Sequence, residues 1–356
     1  MIKALRRGAT APAAFQVGLR RIEVDDVPMP WPKAGEVLIE LSAVGLCGSD
    51  LHYFRTGRIG QQALTYPQIL GHEPAGTIVA LGKGVRGVKE GQAVAIEPGI
   101  SCGKCRACQQ GRANLCYRMR FLGGPGVTGA FQRYLAMPAH CVEAVPKGVD
   151  PALASATEPL GVALHAMNLV RLKKGEAVAI IGCGPIGLST LAMARAAGAK
   201  VVAMSDSRDL RRGVARRLGA TRVVEPGAFV ETAREATGGL GASAVFECSG
   251  APSAVDAAVA ATERGGRVAL IGITEDDDQV LDPHIWRQRE LDLVQVRRSN
   301  QTLRAVLKHL SRGDLGLRRA GFFSDTVGLE GVQAAFEQLD DQASPAVKII
   351  VDPRLA

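Results

Sequence analysis

The apolar positions of this chain follow two different rhythms. Between Glu36 and about Val145, short apolar runs are separated by glycines and prolines, as in the stretches EVLIEL, GTIVALG, GQAVAIEPG and QRYLAMP. Short runs bounded by turn residues are typical of β-strands. This part of the chain therefore predicts a compact, irregular β domain.

The second rhythm begins at Glu176. Strand-like apolar runs alternate there with Ala-rich helical segments, and the runs read AVAIIG, KVVAMSD, TRVVEP, ASAVFECSG and GRVALIGI. Helices are predicted up to Ala197, up to Leu218 and from about Val255 to Thr262. This alternation indicates an α/β fold with a doubly wound parallel sheet and helices on both faces.

Helical spacing also marks the segments on either side of this region. The stretch EPLGVALHAM, residues 158–167, predicts a helix that crosses from one domain to the other. Near the C-terminus, VKIIVDP predicts a final strand, and four leucines and valines have helical spacing: Leu303, Val306, Leu307 and Leu310. Because 356 residues exceed the usual size of one hydrophobic core, we expect two domains, one formed by residues 1–157 and 297–356 and one by residues 158–296.

Composition and charge narrow the class of protein. Hydrophobic residues make up 47% of the chain and charged residues 22%, as in globular proteins. The net charge of +8 comes from scattered Arg and Lys residues and aromatic residues are only 4%, so we expect no nucleic-acid partner. Glycines, a proline and Lys200 interrupt the apolar region 177–204, which argues against a membrane span. The basic N-terminal stretch lacks the apolar core of a secretory signal, and we expect a cytoplasmic protein.

A glycine-rich turn directly follows the strand-like run AVAII. Gly182, Gly184 and Gly187 of GCGPIG form a G-x-G-x-x-G pattern, with Pro185 and Ile186 inside it. Such glycines permit a tight turn, a close approach of the backbone to a pyrophosphate, and close packing of helix against strand. Its position between a strand and a helix predicts a dinucleotide-binding site with the phosphates at the helix N-terminus.

The nucleotide preference depends on the end of the next strand. Asp206 follows about 20 residues later, where the ribose-binding acid of such sites lies, and its charge favours NAD over NADP. Arg208 could receive a 2′-phosphate, and Arg211 and Arg212 lie close by. We count Arg211 among the cofactor-binding residues, although a solvated helix face is the other interpretation of these arginines.

The cysteines are unevenly distributed along the chain. Four of the eight form a C-x2-C-x2-C-x7-C array: Cys102, Cys105, Cys108 and Cys116. Four thiolates in one short loop can surround Zn²⁺ tetrahedrally and leave no position open, so we predict a structural zinc lobe at about residues 98–118. An iron–sulfur cluster and a nucleic-acid zinc module use similar cysteines and stay as alternatives.

A second set of reactive side chains is spread over the segments LCGSDLH, LGHEPAG and TEPLGV: Cys47, Ser49, His52, His72, Glu73 and Glu158. The residues of LGHEPAG are expected in a loop between strands. A thiolate, an imidazole and a carboxylate with one vacant position make a catalytic zinc site. Taken singly, each residue could equally have a structural role.

An ordered series of motifs extends over nearly the whole chain: GLCGSDLHY, GRIG, LGHEPAG, VAIEPG, the four-cysteine lobe, EPLGV, GCGPIG and RRSN. The series resembles the zinc-containing medium-chain alcohol dehydrogenases, and among them the sorbitol (polyol) dehydrogenases. The resemblance implies a GroES-like β catalytic domain, completed by the C-terminal segment, and an inserted Rossmann domain. It also implies catalytic and structural zinc, NAD, and assembly into homodimers or homotetramers.

The resemblance assigns a zinc ligand to each segment of the second set. Cys47 and His72 would be direct ligands. In sorbitol dehydrogenases the Glu after the His is the third ligand, here Glu73, whereas the Glu of the E-P-L motif, here Glu158, binds through water or exchanges with it. We keep both carboxylates as candidates and prefer Glu73.

The remaining residues of the first segment would carry the proton. The resemblance implies that Ser49 accepts the hydroxyl proton of a secondary alcohol and passes it toward His52 while zinc stabilises the alkoxide. Hydride would then leave the carbinol carbon for NAD, which converts a polyol or sugar acid into a ketone.

The substrate pocket departs from the family at one position. Tyr53, Arg297 and Glu158 match positions that contact polyol hydroxyls in sorbitol dehydrogenases, but Arg298 replaces an aromatic residue in RRSN. A guanidinium binds carboxylates through two hydrogen bonds, so a sugar acid of the aldonate type is an alternative to a neutral polyol. Arg298 could equally point to solvent or to a neighbouring subunit.

Other activities stay open at this point. Within the same family, a threonine 3-dehydrogenase and a simple secondary-alcohol dehydrogenase share most of these motifs. Outside it, a non-catalytic zinc- and NAD-binding protein or a nucleic-acid-binding protein would explain the cysteines and the charge. The nucleic-acid class leaves Cys47, Ser49, His52 and His72 without a purpose. Every position of the proposed site holds a competent residue, which also argues against a non-catalytic protein, and we expect small molecules as partners.

Overall fold

The computed structural model divides the chain into two units and describes residues 8–275, 278 and 282–355. The first unit comprises Met1–Glu158, Leu303–Ser311 and Ser324–Ala356. The second comprises Pro159–Thr302 and Arg312–Phe323. Residues 1–7, which open the basic N-terminal stretch, lie outside the described residues.

The helices and strands follow one another along the chain in a fixed order. Before the glycine-rich turn they are β1 (Thr10–Gly18), β2 (Arg21–Pro28), β3 (Glu36–Gly45), α1 (Gly48–Thr56), β4 (Arg58–Ile59), β5 (Gln62–Ala63), β6 (Gln68–Ile69), β7 (Glu73–Leu81), β8 (Ala93–Ile96), β9 (Gly99–Ile100), α2 (Arg106–Gln109), β10 (Arg120–Phe121), β11 (Tyr134–Pro138), β12 (Val142–Ala144), α3 (Pro151–Ser155), α4 (Thr157–Leu169) and β13 (Ala177–Ile181). After it they are α5 (Pro185–Ala196), β14 (Lys200–Ser205), α6 (Asp209–Arg217), β15 (Val223–Val224), α7 (Phe229–Glu235), β16 (Ala242–Glu247), α8 (Ala254–Ala261), β17 (Thr262–Leu270), α9 (Pro283–Arg289), β18 (Asp292–Gln295), α10 (Leu303–Leu310), α11 (Leu317–Ala320), β19 (Phe323–Val327), α12 (Val332–Asp340) and β20 (Lys348–Val351). Short 3₁₀ turns lie at Ala113–Leu115, Ala139–Cys141, Pro226–Ala228 and Leu329–Gly331.

A seven-stranded sheet forms the centre of the first unit, in the order β12-β8-β7-β3-β20-β19, with β11 also paired to β3. Strand β3 pairs antiparallel with β7, β11 and β20, and α3 packs against it. Burial on both faces explains why β3 is apolar almost throughout its length. The predicted β domain is confirmed, and β19, β20 and α12 show that the C-terminal segment belongs to this unit.

The predicted C-terminal helix is confirmed as α10. Its four apolar residues, Leu303, Val306, Leu307 and Leu310, are all buried. Two of them, Leu303 and Leu307, pack against Ala95 of β8. The helical spacing in the sequence therefore reflects one buried face of a helix.

A six-stranded parallel sheet forms the second unit, in the order β15-β14-β13-β16-β17-β18. Helices α5, α7 and α8 pack against its strands. From β13 the chain first adds strands on one side of the sheet, β14 and β15, and then on the other side, β16, β17 and β18. Ligands of such sheets bind outside the carboxyl ends of the strands at the point where the direction changes, here between β13 and β16. The predicted parallel α/β fold is confirmed.

The apolar region 177–204 divides into β13, α5 and most of β14, so the interpretation as strand, helix and strand is confirmed. Along the part of the chain that the structure describes, no helix combines the length and the apolar character that a bilayer crossing requires.

The boundaries between the units fall at Glu158/Pro159, inside α4, and at Thr302/Leu303. The sequence placed them at residues 157/158 and 296/297. Residues 312–323 return to the second unit because α11 packs against α6 there. Leu317 and Ala320 of α11 are buried, and Arg217 Nε donates a hydrogen bond of 2.9 Å to the Ala320 carbonyl oxygen.

Candidate active site and metal centres

The N-terminus of α1 positions the first predicted ligand. Cys47 precedes the helix in an extended conformation, and its backbone N–H donates to Asp50 Oδ2 at 3.1 Å. A carboxylate at the third residue of a helix commonly accepts a hydrogen bond from the backbone N–H of the residue before the helix, and this bond stabilises the first turn. The bond fixes the turn on which Cys47 and Ser49 are displayed.

Asp50 also orients His72, and the sequence did not single it out. Its side chain is 1% exposed, and its Oδ1 lies 3.1 Å from His72 Nδ1 and accepts a hydrogen bond of 3.2 Å from the Gly71 backbone N–H. Metal-binding histidines usually donate their second nitrogen to a carboxylate. The acid in the motif C-G-S-D was a signal for this role.

The second ring nitrogen of His72, Nε2, faces Ser49 and Cys47. Ser49 Oγ lies 3.3 Å from His72 Nε2 and 3.5 Å from Cys47 Sγ. Burial alone would lower the pKa of His72, but the charges of Asp50 and Cys47 and hydrogen bonds to both raise the pKa well above its ordinary value. A metal that binds at Nε2 requires the neutral ring, because only an unprotonated nitrogen can be a ligand.

Cys47, His72 and Glu73 form a compact donor set. One ligand atom from each lies within 4.8 Å of the other two. Glu73 is the first residue of β7, so its predicted place in a loop was wrong: it pairs with Gly45 of β3 and so begins the strand. A thiolate, an imidazole and a carboxylate around one point fit the ligand chemistry of a catalytic zinc site.

Lys348, at the start of β20, is a residue of this site that the sequence did not single out. Its Nζ lies 2.7 Å from both carboxylate oxygens of Glu73 and 3.1 Å from the Leu46 carbonyl oxygen. The lysine is 1% exposed. The sequence contained one signal for this role, the lysine at the start of the apolar run KIIV. A lysine in a buried strand is almost never fully buried unless it is paired, so it indicates a buried acidic partner.

Glu158 is the second residue of α4 and is 7% exposed. Burial is the main cause that raises its pKa to about 8; Glu73 and Glu97 raise the pKa further, and His72 and Lys348 oppose the shift. It is not one of the three residues whose ligand atoms lie within 4.8 Å of one another. The structure therefore brings Glu73, but not Glu158, into the described donor set.

The other predicted reaction and substrate residues lie in different environments. His52 of α1 is half-buried, and Tyr53 is 7% exposed and belongs to the apolar core of the first unit. Arg297 and Arg298 follow β18 in the second unit. Arg297 is exposed, whereas Arg298 is half-buried and has a left-handed backbone with φ 59°.

The four-cysteine lobe forms a second donor cluster, with the ligand atoms of Cys102, Cys105, Cys108 and Cys116 within 4.8 Å of one another. Cys105 Sγ lies 3.5 Å from Cys108 Sγ and 3.8 Å from Cys116 Sγ. Four sulfurs in a tetrahedron at the usual Zn–S distance are about 3.8 Å apart. The spacing fits zinc, and all four cysteines are free of disulfides.

Backbone N–H groups point at the sulfurs of the lobe. Cys116 Sγ accepts hydrogen bonds from the Cys102 and Arg118 backbone N–H groups at 3.2 and 3.3 Å. Such donors lower the pKa of Cys102 and lower that of Cys105 to about 6, whereas burial and the neighbouring thiols raise the pKa of Cys108 to about 11. Thiolates this close repel one another unless a cation lies among them.

The glycine-rich turn has the geometry that the pattern predicts. Gly182 follows β13 with φ 97°, and Gly184 precedes α5, whose first residue is Pro185. A Cβ at Gly187 would lie 1.8 Å from the Gly182 carbonyl oxygen. The third glycine therefore allows the close contact of helix and turn that places the N-terminus of α5 at the carboxyl end of the sheet.

Asp206 ties the turn to the end of β14. Its carboxylate accepts hydrogen bonds from the Cys183 and Arg208 backbone N–H groups at 2.7 and 2.8 Å. Arg212 is 7% exposed and donates to the Asp206 and Ser207 carbonyl oxygens, so it is not part of a solvated face.

Arg211 lies over the turn. Its Nη1 is 3.6 Å from the place that a Cβ on Gly184 would take. Burial and the charge of Arg208 lower the pKa of Arg211, against the effects of Asp206 and Cys183. Among the described residues, its buried Nε has no hydrogen-bond partner, as expected of a group that faces a ligand.

The fold combines a parallel sheet that ends in a dinucleotide-type glycine turn with two donor clusters whose chemistry fits zinc, and this combination is typical of metal-dependent dehydrogenases. Residues 33–147 match the family model of the alcohol dehydrogenase GroES-like domain, and residues 185–312 match that of the zinc-binding dehydrogenases. The sorbitol dehydrogenase of Bacillus subtilis is 36% identical over 344 residues, which cover 96% of this chain and 97% of the relative. The chain therefore belongs to the zinc-containing medium-chain alcohol dehydrogenase family, and it is a dehydrogenase.

Other relatives have different named substrates. L-idonate 5-dehydrogenase of Vitis vinifera is 32% identical over 91% of this chain and 90% of its own. L-threonine 3-dehydrogenase of Pyrococcus horikoshii is 39% identical over 72% of this chain and 73% of its own. Among solved structures, a zinc-binding dehydrogenase of Sinorhizobium meliloti 1021 bound to NADP superposes with a TM-score of 0.88 at 29% identity, covering 97% of this chain and 100% of that one.

Proposed function

We propose that this dehydrogenase oxidises a secondary hydroxyl of a polyol or sugar acid to a ketone and transfers the hydride to NAD. The observation that carries the proposal is the donor set of Cys47, His72 and Glu73 with Ser49 beside it. The relatives support the substrate class, because sorbitol is a polyol and idonate is a sugar acid.

Cys47 Sγ and His72 Nε2 would hold the catalytic zinc, with Glu73 or Glu158 as the carboxylate. A zinc ion in such a site supplies a Lewis acid that lowers the pKa of a bound hydroxyl. The first unit would thus be the catalytic domain, and the lobe at residues 98–118 would hold structural zinc.

Ser49 would accept the proton of the substrate hydroxyl. Its Oγ lies within 3.5 Å of both Cys47 Sγ and His72 Nε2, so it is next to the point where the donor set converges. His52 lies three residues further on α1, and residues three apart are neighbours on a helix surface. The serine would pass the proton toward this half-buried imidazole and then to solvent.

The second unit would bind the dinucleotide. Gly182, Gly184 and Gly187 would approach the pyrophosphate at the N-terminus of α5, and Asp206 would accept hydrogen bonds from the adenosine ribose. The carboxylate of Asp206 favours NAD, whereas Arg208 and Arg211 bring positive charge to the same place. Rates with NAD and NADP at equal concentration test this preference.

A substrate panel tests the proposal. The purified, zinc-replete protein is assayed for NAD reduction with neutral polyols, aldonates, L-threonine and simple secondary alcohols. We expect turnover of a polyol or an aldonate. The threonine relative makes a threonine 3-dehydrogenase the second candidate, and turnover of threonine alone would replace the first.

Arg298 is expected to favour acidic substrates. A guanidinium can bind a carboxylate through two charge-assisted hydrogen bonds, and replacing it with tyrosine removes them. Arg298→Tyr should lower the kcat/KM for an aldonate relative to that for a neutral polyol by about tenfold or more. The matched control is Arg264→Tyr, an exposed arginine of the same unit. An unchanged ratio in Arg298→Tyr would remove the case for a sugar acid.

Asp50→Asn is expected to weaken zinc binding at the catalytic site by about 10- to 100-fold. Asp50 accepts hydrogen bonds from the Cys47 and Gly71 backbone N–H groups and orients the His72 ring, and an amide has only one acceptor oxygen. Competition with a chromogenic chelator measures the affinity. Asp25→Asn, at an exposed carboxylate of the same unit, is the control, and equal affinities of the two variants would contradict the role of Asp50.

We also propose a cytoplasmic homodimer or homotetramer. All eight cysteines of the chain are free, which is typical of a reducing compartment. Strand β18 is an edge strand whose residues are mostly exposed, and such an edge is available to pair with another strand. Light scattering of the purified protein measures the assembly.

A further inference from the structure

We propose that Lys348 is a positioning residue that competes with the catalytic zinc for Glu73, and thereby weakens the bond between this carboxylate and the metal. The inference rests on the proposed function, because it requires zinc at Cys47 and His72. It concerns how tightly the site holds zinc, which can be measured without any substrate.

The contact between the two residues uses every donor of the lysine. Two N–H groups of Lys348 can reach the carboxylate oxygens of Glu73, both at 2.7 Å, and the third can reach the Leu46 carbonyl oxygen at 3.1 Å. The Lys348 and Glu73 side chains are 1% and 0% exposed. Bulk solvent therefore does not compete with the lysine for this carboxylate.

The main sheet of the first unit builds this pair from distant parts of the chain. Glu73 begins β7 and Lys348 begins β20, and both strands pair with β3. Between them lies Gly45, where a Cβ would come within 2.0 Å of Glu73 Oε2. The lack of a side chain at Gly45 leaves room for the carboxylate over the strand.

The same carboxylate belongs to the metal donor set. A ligand oxygen of Glu73 lies within 4.8 Å of donor atoms of Cys47 and His72. A carboxylate that binds an ammonium through both oxygens gives less electron density to a metal, because the two cations attract the same charge. A less tightly bound carboxylate leaves a coordination position more accessible to a substrate oxygen.

A purely structural lysine would behave differently. It would tie β20 to β3 through Leu46, and its removal would change stability but not the properties of the metal. Removing one partner of a buried ion pair leaves the other charge uncompensated, and in this site the other available cation is zinc. Loss of Lys348 should therefore strengthen the bond between Glu73 and zinc.

The experiment measures the release of zinc from the complete, zinc-loaded protein to a chromogenic chelator, in a double-mutant cycle of Lys348→Met and Glu73→Gln. We expect Lys348→Met to slow the release of the catalytic zinc about tenfold, because a positive charge beside the metal is removed, and to have little effect in the Glu73→Gln background. The visible absorption of protein with Co²⁺ at the catalytic site should shift in Lys348→Met and not between Glu73→Gln and the double variant.

Two results would overturn the inference. One is a release rate in Lys348→Met equal to or faster than that of the unchanged protein. The other is an equal effect of Lys348→Met with and without Glu73→Gln. If Lys348→Met does not fold, Lys348→Gln removes the charge, keeps N–H donors and is subject to the same criteria. Tight zinc with no turnover of any substrate would contradict the proposed activity and leave this inference intact, whereas a protein without catalytic zinc would overturn both.

Discussion

His72→Asn is expected to reduce the zinc content from two ions to one per chain and to lower dehydrogenase activity by about a thousandfold or more. The reason is that His72 Nε2 is the nitrogen donor of the Cys47, His72 and Glu73 set, and an amide is a poor ligand for zinc. Elemental analysis after dialysis, together with initial rates of NAD reduction, measures both effects. The lobe should keep its zinc, because its four thiols form a separate cluster.

The chain offers a matched control for this variant. His140 is an exposed histidine of the same unit, and His140→Asn should keep both zinc ions and full activity. Two zinc ions together with full activity in His72→Asn would show that the site is elsewhere.

The second large effect is expected in the lobe. Cys105→Ser should also leave one zinc ion per chain, but the main loss should be stability, with a melting temperature lower by about 10 °C or more. Cys105 Sγ lies 3.5 and 3.8 Å from the Cys108 and Cys116 sulfurs, so without it the remaining three thiolates no longer enclose a cation. Differential scanning calorimetry with zinc analysis measures the change.

Cys141→Ala is the control for loss of a cysteine. Cys141 is buried in the first unit and is not part of either donor cluster among the described residues. It should keep two zinc ions. A melting temperature of Cys105→Ser equal to that of Cys141→Ala, with one zinc lost, would mean that the lobe metal does not stabilise the fold.

The two metal-binding clusters differ in how much of their geometry the sequence predicts. The four cysteines of the lobe lie within 15 consecutive positions, and a short loop can bring them together whatever the rest of the chain does. The dinucleotide turn is equally local, since G-x-G-x-x-G needs only the preceding strand and the following helix. Both were visible in the sequence, and the structure has the corresponding geometry.

The catalytic cluster depended on strand pairing. The sequence offered Cys47, His72, Glu73 and Glu158 as ligands, and only the family resemblance gave a reason to prefer Glu73 of the two carboxylates. The pairing of β7 with β3 made Glu73 the first residue of a strand, where a loop had been predicted, and placed its carboxylate over Gly45. Pairing register is set by contacts along the whole strand, which a motif of a few residues does not contain.

The sequence alone determined the family, the α/β and β units, the lobe cysteines and the phosphate turn, because each depends on neighbours along the chain or on an ordered series of motifs. Tertiary structure alone decided that Lys348 pairs with Glu73, 275 positions away, and that Asp50 orients His72. It also decided that residues 312–323 belong to the second unit. The physical reason is the same in each case: burial of a charge or an apolar face requires a partner, and only the folded sheet brings that partner near.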